Sequence, residues 1–525
     1  MTTFAGKTPA SADKVRGGYY TPAPVARFLA DWVCQAGPRV LEPSCGDGRI
    51  LRELAARSHC AHGVELDGQE AAKARRFAAV DTQDFFTWVP NGGGWDGVAG
   101  NPPYIRFGNW APEQREPALA LLDREGLRPT RLTNAWVPFV VASTRLVRDG
   151  GRVGLVLPAE LLQVGYAAQL REYLLRRYRE ITLISFQRLV FDGILQEVVL
   201  FCGVVGRAPA PARIRTVALR DAGALAHADL RVEWAPALLH EQEKWTKYFL
   251  DPAAIDLLRT LKRSDSLTSL GRLAEVDVGI VTGRNSFFTF TDADAHALGL
   301  RDHCVPLVSR SAQLTGLVYD SGCRAGDLAT HHRTWLLNAP PEPSDPALLA
   351  HIASGEQAGV QQGYKCSVRT PWWRTPSLWV PDLFLLRQIH RAPRLTVNAA
   401  AATSTDTVHR VRVKPEVEPT ALAAVFHNSA TFAFAEILGR SYGGGILELE
   451  PAEAEQLPIP APTAADIELA VDVDLLLRAG EAEKALDLVD RRVLVERLGW
   501  SPELVAGCRE AWATLRDRRR KRGAR

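Results

Sequence analysis

Between residues 39 and 205, short apolar runs alternate with stretches of helical periodicity, and this alternation restricts the possible folds more than any other feature of the chain. Residues 39–43, 62–65, 79–86, 95–100 and 152–157 read as strands, and 25–33, 49–57, 136–146 and 166–178 carry apolar side chains at helical spacing. Two more strands, 181–186 and 197–205, flank a loop holding Phe191-Asp192-Gly193. That loop is too short for a helical crossover, so the pair is expected to form an antiparallel hairpin. The pattern predicts an α/β domain built on a mostly parallel, doubly wound sheet. Gly206 to Ala212 is a linker by composition, and beyond it the alternation stops.

Such sheets place their ligand crevice at the carboxyl ends of the strands, and the conspicuous residues fall there. The first strand ends in Glu42-Pro43 and runs into Ser44-Cys45-Gly46-Asp47-Gly48, a turn whose glycines let backbone approach a ligand. Glu65 closes the second strand 19 positions after Gly46, a spacing suited to a carboxylate on ribose hydroxyls. Leu51 stands where a dinucleotide fingerprint has its third glycine, which favours a mononucleoside ligand over a pyrophosphate one. Asp84 and Phe85 pair an acid with a ring, suiting a nucleobase amine edge and face; Asp84 is equally of the type that caps a following turn. Thr21-Pro22 opens the first helix.

The fourth strand ends in Asn101-Pro102-Pro103-Tyr104. Two prolines lock φ and remove two donors, leaving the Asn101 side chain and the Pro102 carbonyl as rigid acceptors beside the flat face of Tyr104. That set suits a planar group bearing an NH2, such as the exocyclic amine of adenine. The competing reading is an ordinary loop, because Asn-Pro commonly initiates turns.

A net charge of only +3 means that any affinity for nucleic acid must come from local patches. One candidate is the segment from Lys365 to Lys414, where nine cations face only Asp382 and Asp406 and three tryptophans are interleaved. Lys365, Arg369, Arg374, Arg391 and Arg394 are its candidate DNA contacts; a solvated basic face over a tryptophan core is the alternative. The eight cysteines are scattered without a CxxC pair, which argues against a zinc site or disulfide framework and for a reducing compartment. No apolar run reaches membrane-spanning length and the first 18 residues lack a signal-peptide core, so a soluble cytoplasmic protein is expected. Residues 463–525 read as helices, with the run Arg518 to Arg522 expected to be a disordered basic tail.

In this order the motifs resemble the N6-adenine DNA methyltransferases of restriction–modification systems, specifically the gamma class typified by the TaqI-type enzymes. The resemblance implies a class I S-adenosylmethionine-dependent fold with a seven-stranded sheet and an antiparallel edge hairpin. Residues 1–235 would be the catalytic domain, 236–460 a target-recognition domain and 461–525 a helical extension. It further implies that Thr21, Glu42, Pro43, Ser44, Cys45, Gly46, Glu65, Asp84 and Phe85 hold the cofactor. Asn101, Pro102 and Tyr104 would act on a flipped adenine, with Phe191 stacking on it as well. Two later stretches, Val281 to Asn285 and Ser441 to Gly445, look like recognition-domain pieces of that family. The implied partner is double-stranded DNA, engaged by a monomer without a metal, at the prokaryotic nucleoid. A cognate endonuclease would be a separate, unassociated chain, since neither end of the sequence leaves room for one. Methylation of RNA or of protein glutamine, and a non-enzymatic DNA-binding defence subunit, remain the competing functions.

Overall fold

The computed structural model describes residues 21–188, 190–191, 197–206, 212–230, 234–236, 244–330, 332–442 and 444–523. Two compact units divide it, one of residues 1–252 with 521–525 and one of residues 253–520.

The first unit is organised by nine strands: β1 (Arg39–Pro43), β2 (Cys60–Glu65), β3 (Ala79–Thr82), β4 (Trp95–Gly100), β5 (Val147–Pro158), β6 (Tyr178–Phe186), β7 (Val198–Val205), β8 (Arg213–Leu219) and β9 (Ala235–Pro236). They form one sheet in the order β3-β2-β1-β4-β5-β7-β6-β8-β9. Strands β1 to β5 are mutually parallel where they pair, as the alternation predicts. Because β1 pairs with both β2 and β4, the chain reverses its direction of winding between β1 and β4, and a crevice opens there. Helix α1 (Ala23–Cys34) buries Val25, Ala26, Leu29, Ala30 and Val33 on one face. It lies so close to the sheet that a Cβ on Gly97 would sit 2.8 Å from the Val33 Cβ. Helices α2 (Arg49–Ala55), α3 (Gly68–Ala74), α4 (Phe85–Trp88), α5 (Pro112–Arg124), α6 (Trp136–Leu146) and α7 (Ala168–Arg177) make the other crossovers.

The structure corrects two expectations here. Strands β6 and β7 are antiparallel as predicted, but they are not an edge: β7 lies between β5 and β6, and β6 pairs onward with β8 in parallel. The reason is composition, since all eight residues of β7 are buried and a strand apolar on both faces belongs in mid-sheet. The Ala-Pro stretch after Gly206 therefore does not separate domains. Residues 207–211 lie outside the described ones, but Arg213–Leu219 returns to the same sheet, and the compact unit runs on to Pro252.

The second unit contains a five-stranded, a four-stranded and a three-stranded sheet. Helices Pro419–Phe426 and Ser429–Leu438 are almost wholly buried in it, and among the described residues no single helix is long and apolar enough to cross a membrane. Residues 466–520 belong to this unit and are not a separate extension. The basic end is ordered as well, forming part of helix Pro502–Gly523. Arg519 is 2% exposed. Its Nη2 and Nε donate to the Glu436 carboxylate at 2.6 and 3.0 Å. A run of cations looks like a solvated tail in one dimension, whereas helical periodicity turned one of them inward onto a buried acid.

Removing one member of such a pair leaves an uncompensated buried charge, so Arg519→Met should destabilise the second unit by about 3–5 kcal/mol. The double variant Arg519→Met/Glu436→Leu should recover most of that loss in denaturant unfolding.

Candidate active site

The carboxyl ends of β1, β2 and β4, with α4, enclose a cavity of about 510 Å³. Its size is that of a small-molecule cofactor site. Thr21, Glu42, Ser44, Cys45, Gly46, Glu65, Asp84, Phe85, Asn101 and Pro103 all line it. These come from five separate stretches of sequence, brought together because their strands end at one edge.

The turn after β1 is shaped for close approach. Ser44 and Gly46 have φ of +54° and +55°, and a Cβ on Gly46 would meet nothing within 4 Å because it would point into open space. The Cys45 N–H donates to the Val64 carbonyl at 2.9 Å, which ties the turn to β2. Glu65 holds it from the other side: its Oε2 accepts from the Gly46 N–H at 2.8 Å and its Oε1 from the Asp67 N–H at 2.9 Å. Burial, reinforced by the Glu42 and Glu65 carboxylates, pushes the Cys45 thiol up and keeps it protonated.

Glu42 is the electrostatic centre of the cavity. It is 3% exposed, and among the described residues its Oε2 has no hydrogen-bond partner. Burial drives its carboxyl well above the usual carboxylate range; the Leu51 backbone offsets part of this, and Glu65 and Asp47 add to it. A buried acid with an unmet oxygen facing a cavity is a receptor for a cationic group. S-adenosylmethionine carries an ammonium and a sulfonium, and the surrounding glycine turn, ribose-type acid and apolar wall fit its other parts.

Asp84 lines the cavity and also makes the cap that its sequence position allowed. Strand β3 ends earlier than expected, at Thr82, and Asp84 caps α4, accepting from the Phe86 and Thr87 N–H groups at 3.0 and 3.1 Å. Burial raises its carboxyl, only partly countered by those donors. Phe85 stacks on Phe139 with centroids 5.1 Å apart and planes 12° from parallel.

The tetrapeptide after β4 is oriented from two sides. Asn101 Nδ2 donates to Thr21 Oγ1 at 3.3 Å, and α1, whose N-cap is Pro22, has no side-chain cap. The Tyr104 hydroxyl lies 3.0 Å from the Val156 carbonyl, to which it donates, and 3.3 Å from Asn101 Oδ1. Tyr104 packs, partly buried, against the same core cluster that contains Phe191. Pro43 and Pro102 are buried behind the cavity wall. Phe191 is 5% exposed and does not line the cavity.

Residues 105–133 carried no sequence signal, yet Asn109, Trp110 and Gln114 line the cavity, as does Phe139 of α6. Only the apolar spacing of α6 hinted at Phe139. In the second unit the five expected DNA contacts divide. Arg369 donates to the Val281 and Thr282 carbonyls at 2.5 and 2.8 Å. Arg394 donates to Leu314 and Thr315 carbonyls at 2.6 and 2.8 Å, and Arg391 pairs with Glu483 at 2.5 Å. Lys365 and Arg374 are exposed.

A sheet order of 3-2-1-4-5-7-6 in its first seven strands, with a glycine turn after the first and an acid after the second, defines a class I S-adenosylmethionine-dependent methyltransferase fold. Two family models match this chain, "Eco57I restriction-modification methylase" over residues 52–191 and "Type II methyltransferase M.Eco57I, C-terminal domain" over residues 242–494. The chain belongs to this family of type II restriction–modification DNA methyltransferases, whose methyl donor is S-adenosylmethionine. It is 25% identical over 474 residues to the type II methyltransferase M.XamI of Xanthomonas campestris pv. amaranthicola, covering 85% of each chain. It is 22% identical to M.AccI of Acinetobacter calcoaceticus, over 82% of this chain and 83% of that one. Identity rises to 32% with M.TthHB8I of Thermus thermophilus, over 35% of this chain and 44% of that one. Among solved structures, a DrdV–DNA complex matches 90% of this chain and 59% of its own at a TM-score of 0.54 and 11% identity, a likeness of fold.

Because the folded state raises the Glu42 carboxyl above its unfolded value, the native protein binds the extra proton. Without cofactor, stability should therefore fall as pH rises from the ordinary carboxylate range through the raised value. Glu42→Gln should flatten this limb in thermal melts; an unchanged slope would remove Glu42 as its source.

Proposed function

We propose that the chain methylates N6 of an adenine flipped out of double-stranded DNA, at a specific site, and so protects that site from a cognate endonuclease. The observation that carries this reading is the position of Asn101: it ends β4, lines the cavity and adjoins the glycine turn that ends the neighbouring β1. The cofactor, when bound, supplies an electrophilic methyl group. What remains for the protein is to make a poor nucleophile competent, since the N6 lone pair of adenine is delocalised into the ring.

Thr21 fixes the Asn101 amide through its nitrogen, which assigns Oδ1 the role of acceptor. Acceptance of the two N6 hydrogens by Asn101 Oδ1 and the Pro102 carbonyl draws the nitrogen toward tetrahedral geometry and localises its lone pair. Acceptors already oriented favour the transition state over the ground state. The Tyr104 ring, anchored through its hydroxyl, offers a face for the extruded base, and stacking of ~1–3 kcal/mol offsets part of the flipping cost. Phe191 contributes by backing Tyr104 in the core cluster, or by turning toward the base when DNA binds. A route through a cysteine nucleophile, as cytosine C5 methylation requires, is disfavoured by the buried, protonated Cys45.

In this reading residues 253–520 recognise the target, the protein acts as a monomer in the prokaryotic cytoplasm at the nucleoid, and the endonuclease is a separate chain. Asn101→Ala should abolish tritium transfer from labelled cofactor to DNA while leaving cofactor binding within about twofold by calorimetry (a shift of under ~0.5 kcal/mol). Tyr104→Ala should slow transfer less. Label appearing on RNA or protein and not on DNA would move the chain to a different substrate class.

A further inference from the structure

Arg369, Arg387, Arg394 and Arg410 of the basic segment are held by carbonyls and carboxylates of the second unit, whereas Lys365, Arg374, Arg391 and Arg412 are exposed. Arg369 reaches under the turn 281–285 and holds its Val281 and Thr282 carbonyls. Gly283, at φ +86°, lets the turn press against the short helix Tyr364–Ser367: a Cβ there would lie 2.9 Å from the Lys365 Cβ. Arg369 is thus a strut that fastens two surface pieces together. Arg284 and Lys365 on these two pieces are exposed, Arg284 with one nitrogen donating to the Ala358 carbonyl at 3.3 Å. On and just after the same short helix, Tyr364 is 76% exposed and Val368 66%. The Lys365 ammonium lies 5.7 Å from the Tyr364 ring centroid.

Folding does not account for this arrangement. The core beneath is complete without Tyr364 and Val368, being built from Phe287, Phe288, Ile352, Val360 and Cys366. A large exposed ring beside the Lys365 ammonium, on a helix against which the turn carrying Arg284 packs, suits a polyanion that also presents apolar faces, which is the chemistry of DNA: phosphates for the cations, bases or thymine methyls for the ring. Resting on the function proposed above, we infer that the turn 281–285 and helix Tyr364–Ser367 form the strip that lies on duplex DNA, with Tyr364 contacting bases of the target site and Arg284 and Lys365 on flanking phosphates. Tyr364 is then a specificity residue, and Arg369, Arg391 and Arg394 shape the unit without touching DNA.

The test uses the full-length protein and two duplexes, one carrying the site mapped by methylation-sensitive sequencing and one lacking it. Arg284→Ala/Lys365→Ala should weaken binding to both duplexes alike and reduce the log–log salt slope by nearly two, at about 0.9 per phosphate contact. Tyr364→Ala should weaken binding roughly tenfold on the site-bearing duplex alone. Tyr364→Phe should restore most of that loss, since the ring carries the contact. Equal loss on both duplexes, or no change on either, overturns the role given to Tyr364, and an unchanged salt slope overturns the strip. Wild-type protein that methylates no DNA would instead remove the function on which the inference rests.

Discussion

The pairing of β1 with β4 is the constraint on which the site depends. These strands are separated in sequence by β2 and β3, yet they lie side by side, with Leu41 opposite Val98. Two parallel neighbours end at the same edge, so the glycine turn after β1 and the Asn101 tetrapeptide after β4 must face a common space. Every other element serves that adjacency. Helix α1 closes on Gly97, where only hydrogen fits beneath Val33, and its first turn carries Thr21 to the Asn101 amide. Whatever the first turn and the tetrapeptide hold, they are neighbours by topology before any side chain is considered.

Electrostatics sharpen the division of labour between the two ends. The β1 end is acidic and starved of partners, with Glu42 buried and only partly satisfied. The β4 end is neutral and rich in acceptors. In the proposed reaction the first would receive the cationic donor and the second the uncharged amine. Glu65 meanwhile braces the Gly46 and Asp67 backbone, so the acid at the end of β2 is held in position by the turn it supports.

The sequence made the first unit legible because strand ends carry chemistry in one dimension. Glu42, Gly46, Glu65, Asp84 and Asn101 each follow an apolar run, and all five line the cavity. Phe139, Trp110 and Asn109 escaped notice because a helix or loop wall announces itself only when another element packs across it. The hairpin was legible as a hairpin, from its short loop. Its position in mid-sheet was not, since pairing partners far along the chain are a property of the closed sheet. The fully apolar β7 was the one local clue.

Charge was the least transparent property. Arg369, Arg394 and Arg519 read as surface cations, and the fold spends them on carbonyls and on Glu436, while Arg391 stays exposed in an ion pair with Glu483. Sequence alone determined the parallel α/β unit, the order of its motifs and several residues that line the crevice, because periodicity and proline or glycine geometry act within a few residues. Tertiary structure alone decided which arginines meet solvent, where β7 sits and which side chains wall the cavity, because those depend on groups brought together from hundreds of residues apart.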